Sequence, residues 1–328
     1  MKALMLKAAE VLQFDDAPEP VAGAGECLVD VAAVGICGSD MHAYLGHDPR
    51  RPVPIILGHE AAGVVRNGAW AGKRVTVNPL VTCGTCRACA SGRENLCPDR
   101  QIISMPPRPG AFAEVVAIPE ANLVEVPQHI SLQIASLAEP LAVCWHAVRL
   151  ASELPYLSLP QARCLVIGGG AIGVGSALAL QAFGAGEVVV SEPGAARADY
   201  VSERCGLTVR SPGDVEENAW DLVIDAVGLP ITRQGASAAV LPGGAICHIG
   251  LGHGEGGLDV RRATLQEITF FGTYTYTAKD FRETAAAMFD GRFGALDWME
   301  EQPLAEGAKA FQGLKSGDIA APKVVLVP

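Results

Sequence analysis

Nowhere in the 328 residues is there an apolar run of the ~20 residues needed to cross a bilayer. The opening MKALMLKAAEVLQF is interrupted by Lys7 and Glu10, so it lacks the continuous hydrophobic core of a secretory signal. Basic charge is also short. Lys and Arg number 25 against 36 Asp and Glu, and the formal charge of -11 is the wrong sign for nucleic acid or an anionic membrane surface. The 37 glycines and 22 prolines follow no period, which excludes a repeat array and a low-complexity tract. Six of the ten cysteines, Cys27, Cys37, Cys144, Cys164, Cys205 and Cys247, are scattered without pairing logic, as expected of a reducing compartment, the cytoplasm. What remains as a partner is a small molecule.

A chain of this length with 49% hydrophobic residues can fill two cores. The first stretch alternates as strands do, for example over ECLVDVAAV from Glu26, with Gly and Pro between runs. From Arg163 the pattern becomes strand, glycine turn, alanine-rich helix and strand, a βαβ unit, followed by a further strand-like run at Asp221–Asp225. The expectation is an α/β protein: a β-rich domain over 1–140, a doubly wound parallel sheet of Rossmann type over 141–277, and a return to the first domain over 278–328.

The other four cysteines, Cys83, Cys86, Cys89 and Cys97, sit in one short loop with Gly84 and Gly92. Four thiolates complete a tetrahedron around zinc and leave no position for substrate, so this reads as a structural zinc site; disulfides or unrelated buried thiols are the competing readings. Gly168, Gly170 and Gly173, with Ile172 in the same turn, make G-x-G-x-x-G directly after an apolar strand. The first glycine permits the turn, the second admits a pyrophosphate, and the third lets helix and strand pack. Glu192 ends the next strand, 24 residues after Gly168, where a carboxylate can accept from the adenosine ribose and repel a 2'-phosphate. That spacing favours NAD over NADP, unless Glu192 is a solvated loop acid. Arg197 is placed to touch the same ribose or adenine, or is a surface arginine. Val227, Ile249 and Gly250 follow later strand-like runs, which ordinary core packing explains.

A second metal set is suggested by VGICGSDMH and ILGHE. Cys37, His59, Glu60 and Glu139 offer a mixed donor set suited to zinc with a replaceable ligand, although singly Cys37 reads as a filler and Glu139 as a helix-start acid. Ser39 and then His42 are candidates to relay a proton, as is Glu139 through water, and Asp40 is placed to orient a ligating imidazole. Turn stabilisation by Ser39 and Asp40 and a surface role for His42 are the plainer alternatives.

The phrases GICGSDMH, LGHEAAGVV, the four-cysteine loop, EPLAV and GGGAIG, in that order, resemble the zinc-dependent medium-chain dehydrogenase/reductase family, particularly its polyol and threonine dehydrogenase branch. The resemblance implies a GroES-like catalytic domain, a Rossmann domain, and two zinc ions per chain. One zinc would be catalytic at Cys37 and His59, with Glu60 and Glu139 as direct or exchanging ligands; the other would sit in the four-cysteine lobe. It further implies NAD as hydride acceptor, with Val227, Ile249 and Gly250 on its nicotinamide side, a secondary alcohol such as a polyol as substrate, and a dimer or tetramer joined through the Rossmann sheet edge. Tyr44 resembles a tyrosine that lines the polyol pocket. Thr275 stands where polyol enzymes often carry an arginine, and Met105 where they carry a small hydroxyl residue, which implies a shorter or less polar substrate. Trp145 and His146 are expected between the domains. A threonine 3-dehydrogenase and a non-catalytic zinc- and NAD-binding sensor are the alternative readings.

Overall fold

The computed structural model describes all 328 residues, Met1–Pro328. In the first half the alternation in ECLVDVAAVG becomes the ten-residue strand Glu26–Gly35, with Cys27, Val29, Val31 and Ala33 turned inward and Leu28, Asp30 and Ala32 half-buried. It pairs antiparallel with Glu60–Val65, Val115–Pro119 and the terminal strand Lys323–Val327, within a seven-stranded sheet. A three-stranded sheet of Lys2–Ala8, Val11–Asp16 and Ile55–Ile56 packs onto the same core.

The second half carries a six-stranded sheet in which every pair is parallel. Arg163–Ile167 is central. Glu187–Ser191 and Thr208–Arg210 extend to one side, and Trp220–Asp225, Val240–His248 and Thr269–Gly272 to the other. Such a sheet binds ligands where the direction of winding reverses, here between Arg163–Ile167 and Trp220–Asp225. Helix Ala171–Ala182 crosses close to helix Ala138–Ser152. A Cβ on Gly175 would stand 2.8 Å from the Cys144 sulfur, so the close approach requires glycine.

The expected boundaries need correction at both ends of this half. Helix Ala138–Ser152 runs unbroken across residue 140, and its Leu141, Cys144 and Val148 belong to the parallel-sheet core. The segment from 278 does not return at once. Helix Ala278–Phe289 packs on Ala138–Ser152, and Phe281, Met288, Phe293 and Trp298 fill the same core. The return begins with strand Met299–Pro303, which pairs with Lys323–Val327; Leu304 and Phe311 then enter the first core. Amphipathic patterning tells a helix which face to bury but not which of two cores to join. Trp145 and His146 also lie within the second half. Trp145 packs edge-on against Phe183 and at a tilt against Phe293, and His146 Nδ1 pairs with Asp280 at 2.7 Å.

Candidate active site

The four-cysteine loop lies between the short paired strands Leu80–Val81 and Gln101–Ile102. Gly84 and Gly92 take φ of +74° and +70°, turning the chain so that the sulfurs face one another. Cys83 and Cys89 are 3.9 Å apart, and Cys86–Cys89 and Cys83–Cys97 are each 3.5 Å. A disulfide would need about 2.05 Å. Four sulfurs at about 2.3 Å from zinc stand roughly 3.8 Å from one another, so the set fits a tetrahedral thiolate site. The backbone of Thr85 and Cys86 pulls the Cys83 thiol down to about 6, while burial and the neighbouring Cys86 thiol push Cys89 up to about 11, so the first thiolate forms readily and its neighbours oppose the next. The lobe leans on the second half: Ala278 N donates to Glu94 at 2.6 Å, and Asn95 donates to the Tyr274 carbonyl at 2.8 Å.

The mixed donor set assembles from three separate segments. Cys37 lies two residues past the long strand Glu26–Gly35 and caps the short helix Gly38–Tyr44, whose Asp40 accepts from Cys37 N at 3.0 Å. Asp40 is fully buried and its Oδ1 lies 3.5 Å from His59 Nδ1, while Ser104 Oγ is 3.3 Å from the same nitrogen. Donor atoms of Cys37, His59 and Glu60 all fall within 4.8 Å of one another. Burial drives the His59 imidazole toward neutrality, but Asp40 and Cys37 raise its pKa well above the ordinary histidine value. The surroundings thus favour positive charge at this point.

The two acids differ in their company. Glu60 is fully buried, and Lys323 Nζ donates to both its oxygens at 2.7 Å and to Ile36 O at 2.9 Å. A Cβ on Gly35 would stand 1.9 Å from Glu60 Oε2, so the acid is seated against bare backbone. Glu139, at the start of helix Ala138–Ser152, instead faces the cavity and accepts from Tyr276 Oη at 2.9 Å. Burial pushes its carboxyl up to about 7, and Glu60 adds to the rise while His59, Tyr276 and Lys323 oppose it. A carboxyl poised there can take or give a proton near neutrality.

At the glycine turn, Gly168 has φ +104° and a Cβ there would meet Val227 at 2.5 Å, while one on Gly173 would stand 1.7 Å from the Gly168 carbonyl. Both must be glycine. Gly170 precedes the first turn of helix Ala171–Ala182, leaving its backbone N–H groups open to an anion. Glu192 is held by Gly169 N and Gly194 N, each at 2.8 Å, at the edge of that turn. Arg197 lies beside Gly170 but donates to Ile319 O at 3.0 Å, joining the turn to the first half. The loops bearing Val227, Ile249 and Gly250 are shaped by buried Asp225, which accepts from Val227 N at 3.0 Å and Gly228 N at 2.9 Å.

Between the two halves lies a cavity of about 330 Å³. Cys37, Ser39, His42, His59 and Met105 line it from the first half, and Glu139, Ile172, Val227, Ile249, Gly250 and Thr275 from the second. Tyr44 does not line it: the side chain is 3% exposed and packs on Phe311 at 5.1 Å in the first core. Successive helical residues are about 100° apart, so with His42 turned to the cavity Tyr44 faces nearly the opposite way. Sequence reasoning missed Tyr276, Lys323, Arg51 and Ser104. Lys323 had a visible signal, a lysine opening an otherwise apolar terminal strand. Tyr276 had none, because its partner Glu139 lies 137 residues away.

Residues 23–128 match the alcohol dehydrogenase GroES-like domain, and residues 171–290 match the zinc-binding dehydrogenase domain. The chain is 32% identical over 311 residues to L-galactonate-5-dehydrogenase of Escherichia coli strain K12, covering 90% of this chain and 89% of that one. It is 32% identical over 297 residues to sorbitol dehydrogenase of Bacillus subtilis strain 168, covering 84% and 82%. An alcohol dehydrogenase of Escherichia coli CFT073, solved with NADH, shares the fold with a TM-score of 0.90 at 24% identity, over 100% of this chain and 99% of that one. With both domain models in order along one chain and these relatives matched nearly end to end, the protein belongs to the zinc-dependent medium-chain dehydrogenase family, in its polyol dehydrogenase branch.

Proposed function

We propose that the cavity between the two halves oxidises a secondary alcohol of a polyol, sugar alcohol or related hydroxy compound, passing hydride to NAD. The observation that carries this reading is the meeting in one cavity of Cys37, His59 and Glu139 with Val227, Ile249 and Gly250 from the far side of the cofactor crevice. Zinc bound at Cys37 and His59, with Glu139 or Glu60 completing the set, supplies the Lewis acidity that lowers the pKa of the alcohol. A second zinc belongs in the four-thiolate lobe.

The chain's own groups do the rest. Asp40 fixes the ring of His59 through Nδ1. Lys323 Nζ donates to both oxygens of Glu60, so Glu60 would have to loosen one of these bonds to act as a ligand. Ser39 takes the alcohol proton and His42, exposed at the rim, passes it to water. Glu139 offers a second route, with Tyr276 fixing one of its oxygens. The glycine turn receives the cofactor pyrophosphate, Glu192 accepts from the adenosine ribose and excludes a 2'-phosphate, and Val227, Ile249 and Gly250 bound the nicotinamide. Thr275 and Met105 form substrate walls without a fixed fork of donors.

Ten cysteines without a disulfide support a reducing compartment, the cytoplasm. The outer strand Thr269–Gly272 has one unpaired edge, with Phe270 and Leu265 exposed nearby, which supports assembly of copies through this edge. The test is NADH formation by zinc-loaded protein across polyols, aldonates, threonine and simple secondary alcohols, with NAD and NADP in parallel. Turnover of a polyol or aldonate with NAD is expected. Zinc and NAD binding without turnover of any alcohol would instead support the sensor.

A further inference from the structure

The cavity wall carries a positive charge that the reaction proposed above does not use. Arg50 and Arg51 both line the cavity, in a chain of formal charge -11. Asp48 lies between them and is shared. Its Oδ1 accepts from Arg50 Nε at 2.8 Å, and its Oδ2 accepts from Arg50 Nη2 at 2.9 Å and from Arg51 Nη1 at 3.3 Å. Asp48 is the one carboxylate hydrogen-bonded to either guanidinium, while buried Asp40 lies near enough to feel the charge of Arg51 and leaves that of Arg50 to Asp48.

The two arginines are not equivalent. Arg51, with its side chain 2% exposed, turns its donors to the protein: Nη1 to Ser39 O at 2.7 Å, Nε to Ser104 O at 3.1 Å, and Nη2 toward the hydroxyls of both serines at 3.4 Å. Its role is to brace the Ser39 and Ser104 segments around His59. Arg50 has a side chain 61% exposed, and its Nη1 makes no bond to protein. Asp48, itself only 6% exposed, fixes the plane of the Arg50 guanidinium and leaves the outer edge free. Side-chain exposure rises from 8% at His59 to 61% at Arg50, which puts the donor set at the cavity floor and Arg50 at its mouth.

The facing segment adds a second sign of a built pocket. Thr275 is β-branched yet held at φ +46°, a backbone region such residues rarely occupy, and its Oγ1 has no partner. Strain and an unpartnered hydroxyl coincide on the wall of this cavity, and neither brings a charge to offset Arg50.

We propose that the substrate is a hydroxy compound bearing an anionic group, a carboxylate or a phosphate, which Arg50 binds at the cavity mouth while the reacting alcohol lies at the floor beside His59. This rests on the dehydrogenase reading and adds the charge of the substrate to it. A guanidinium held in one plane by Asp48 presents parallel N–H donors to two oxygens of one anion, a match that an ammonium or a neutral polyol cannot make.

Two measurements test it. In the first, malonate and inorganic phosphate are titrated calorimetrically into the zinc-loaded protein with NADH bound, for wild type and Arg50→Gln. Saturable binding to wild type, weakened at least tenfold in the variant, is expected; equal binding or none to both would overturn the proposal. In the second, sorbitol, gluconate and sorbitol 6-phosphate are compared as substrates with NAD. One of the two anionic compounds should exceed sorbitol in kcat/KM, and which one does so separates carboxylate from phosphate. Arg50→Gln should raise the KM of that anion by about 10- to 100-fold, the range of a charge-assisted hydrogen bond, with kcat and the KM for NAD unchanged. A preference for sorbitol unaltered by the variant would reduce Arg50 to a partner of Asp48. A rise in the KM for NAD with every substrate would assign Arg50 to the cofactor phosphates, and either result overturns the proposal. Anion binding that depends on Arg50 supports the inference even without turnover of any compound, a result that would count against the dehydrogenase reading instead.

Discussion

Single residues of this site act mostly through partners far away in the chain. Glu60 and Lys323 are 263 positions apart, both essentially without exposure, and joined by two bonds of 2.7 Å. Removing only the cation strands a carboxylate in the interior, so Lys323→Met should cost about 3–5 kcal/mol in denaturant unfolding. The double variant with Glu60→Gln should recover most of that, because the desolvated charge is then gone. Ser39→Ala tests the proton route. It should lower kcat by about 10²- to 10⁴-fold at unchanged metal content, and undiminished turnover would remove Ser39 from the relay. Legibility at this scale followed the physics of each residue. Gly168 and Gly173 could be read from spacing because backbone crowding permits nothing else there, and Cys83, Cys86, Cys89 and Cys97 because four thiols in one loop have few other uses. Tyr276 and Lys323 became functional only through contacts over long separations. Tyr44 was misjudged because two steps along a helix reverse the face presented.

Among elements, the pairing of helix Ala138–Ser152 with helix Ala278–Phe289 sets where Glu139 stands. Fully buried Asp280 ties them together, accepting from Arg149 at 2.6 Å, pairing with His146 at 2.7 Å and capping its own helix through Thr277. Burial by itself would raise the Asp280 carboxyl, yet His146, Arg149 and Thr277 hold it well below the usual carboxylate range. A group depressed on folding stabilises fully above its unfolded pKa, about 3.9, and that stability is lost as pH falls through the folded value. Asp280→Asn should therefore lower stability at neutral pH by about 2–4 kcal/mol and remove this part of the acid-induced loss below about pH 4, measured by unfolding at pH 7 and pH 3. An unchanged acid transition would mean that the two helices are held by their apolar faces alone. The sequence marked Glu139 as a helix-start acid, but it did not reveal that helix Ala278–Phe289 joins the parallel-sheet core, where Asp280 meets Arg149 across 131 residues.

For the whole molecule, the fold is a device for bringing two independently packed halves to one cavity. The alternation of Glu26–Gly35 and the βαβ pattern after Arg163 made both halves legible, while the cavity between them belongs to neither pattern. The four-cysteine lobe links the halves, since Glu94 and Asn95 contact Ala278 and Tyr274, next to the cavity wall. Cys97→Ser should reduce bound zinc from about two per chain to about one, and should raise the substrate KM more than it lowers kcat, because the wall loosens while the floor is intact. Metal analysis beside steady-state kinetics checks both. The most direct test of the central claim follows the hydrogen itself: the best substrate of the panel, deuterated at the alcohol carbon, is turned over by zinc-loaded protein with NAD, and the reduced cofactor is analysed by mass spectrometry. Deuterium carried intact to the nicotinamide, with slowed turnover, is the predicted result. Deuterium lost to solvent, or no reduced cofactor from any secondary alcohol, would contradict the account.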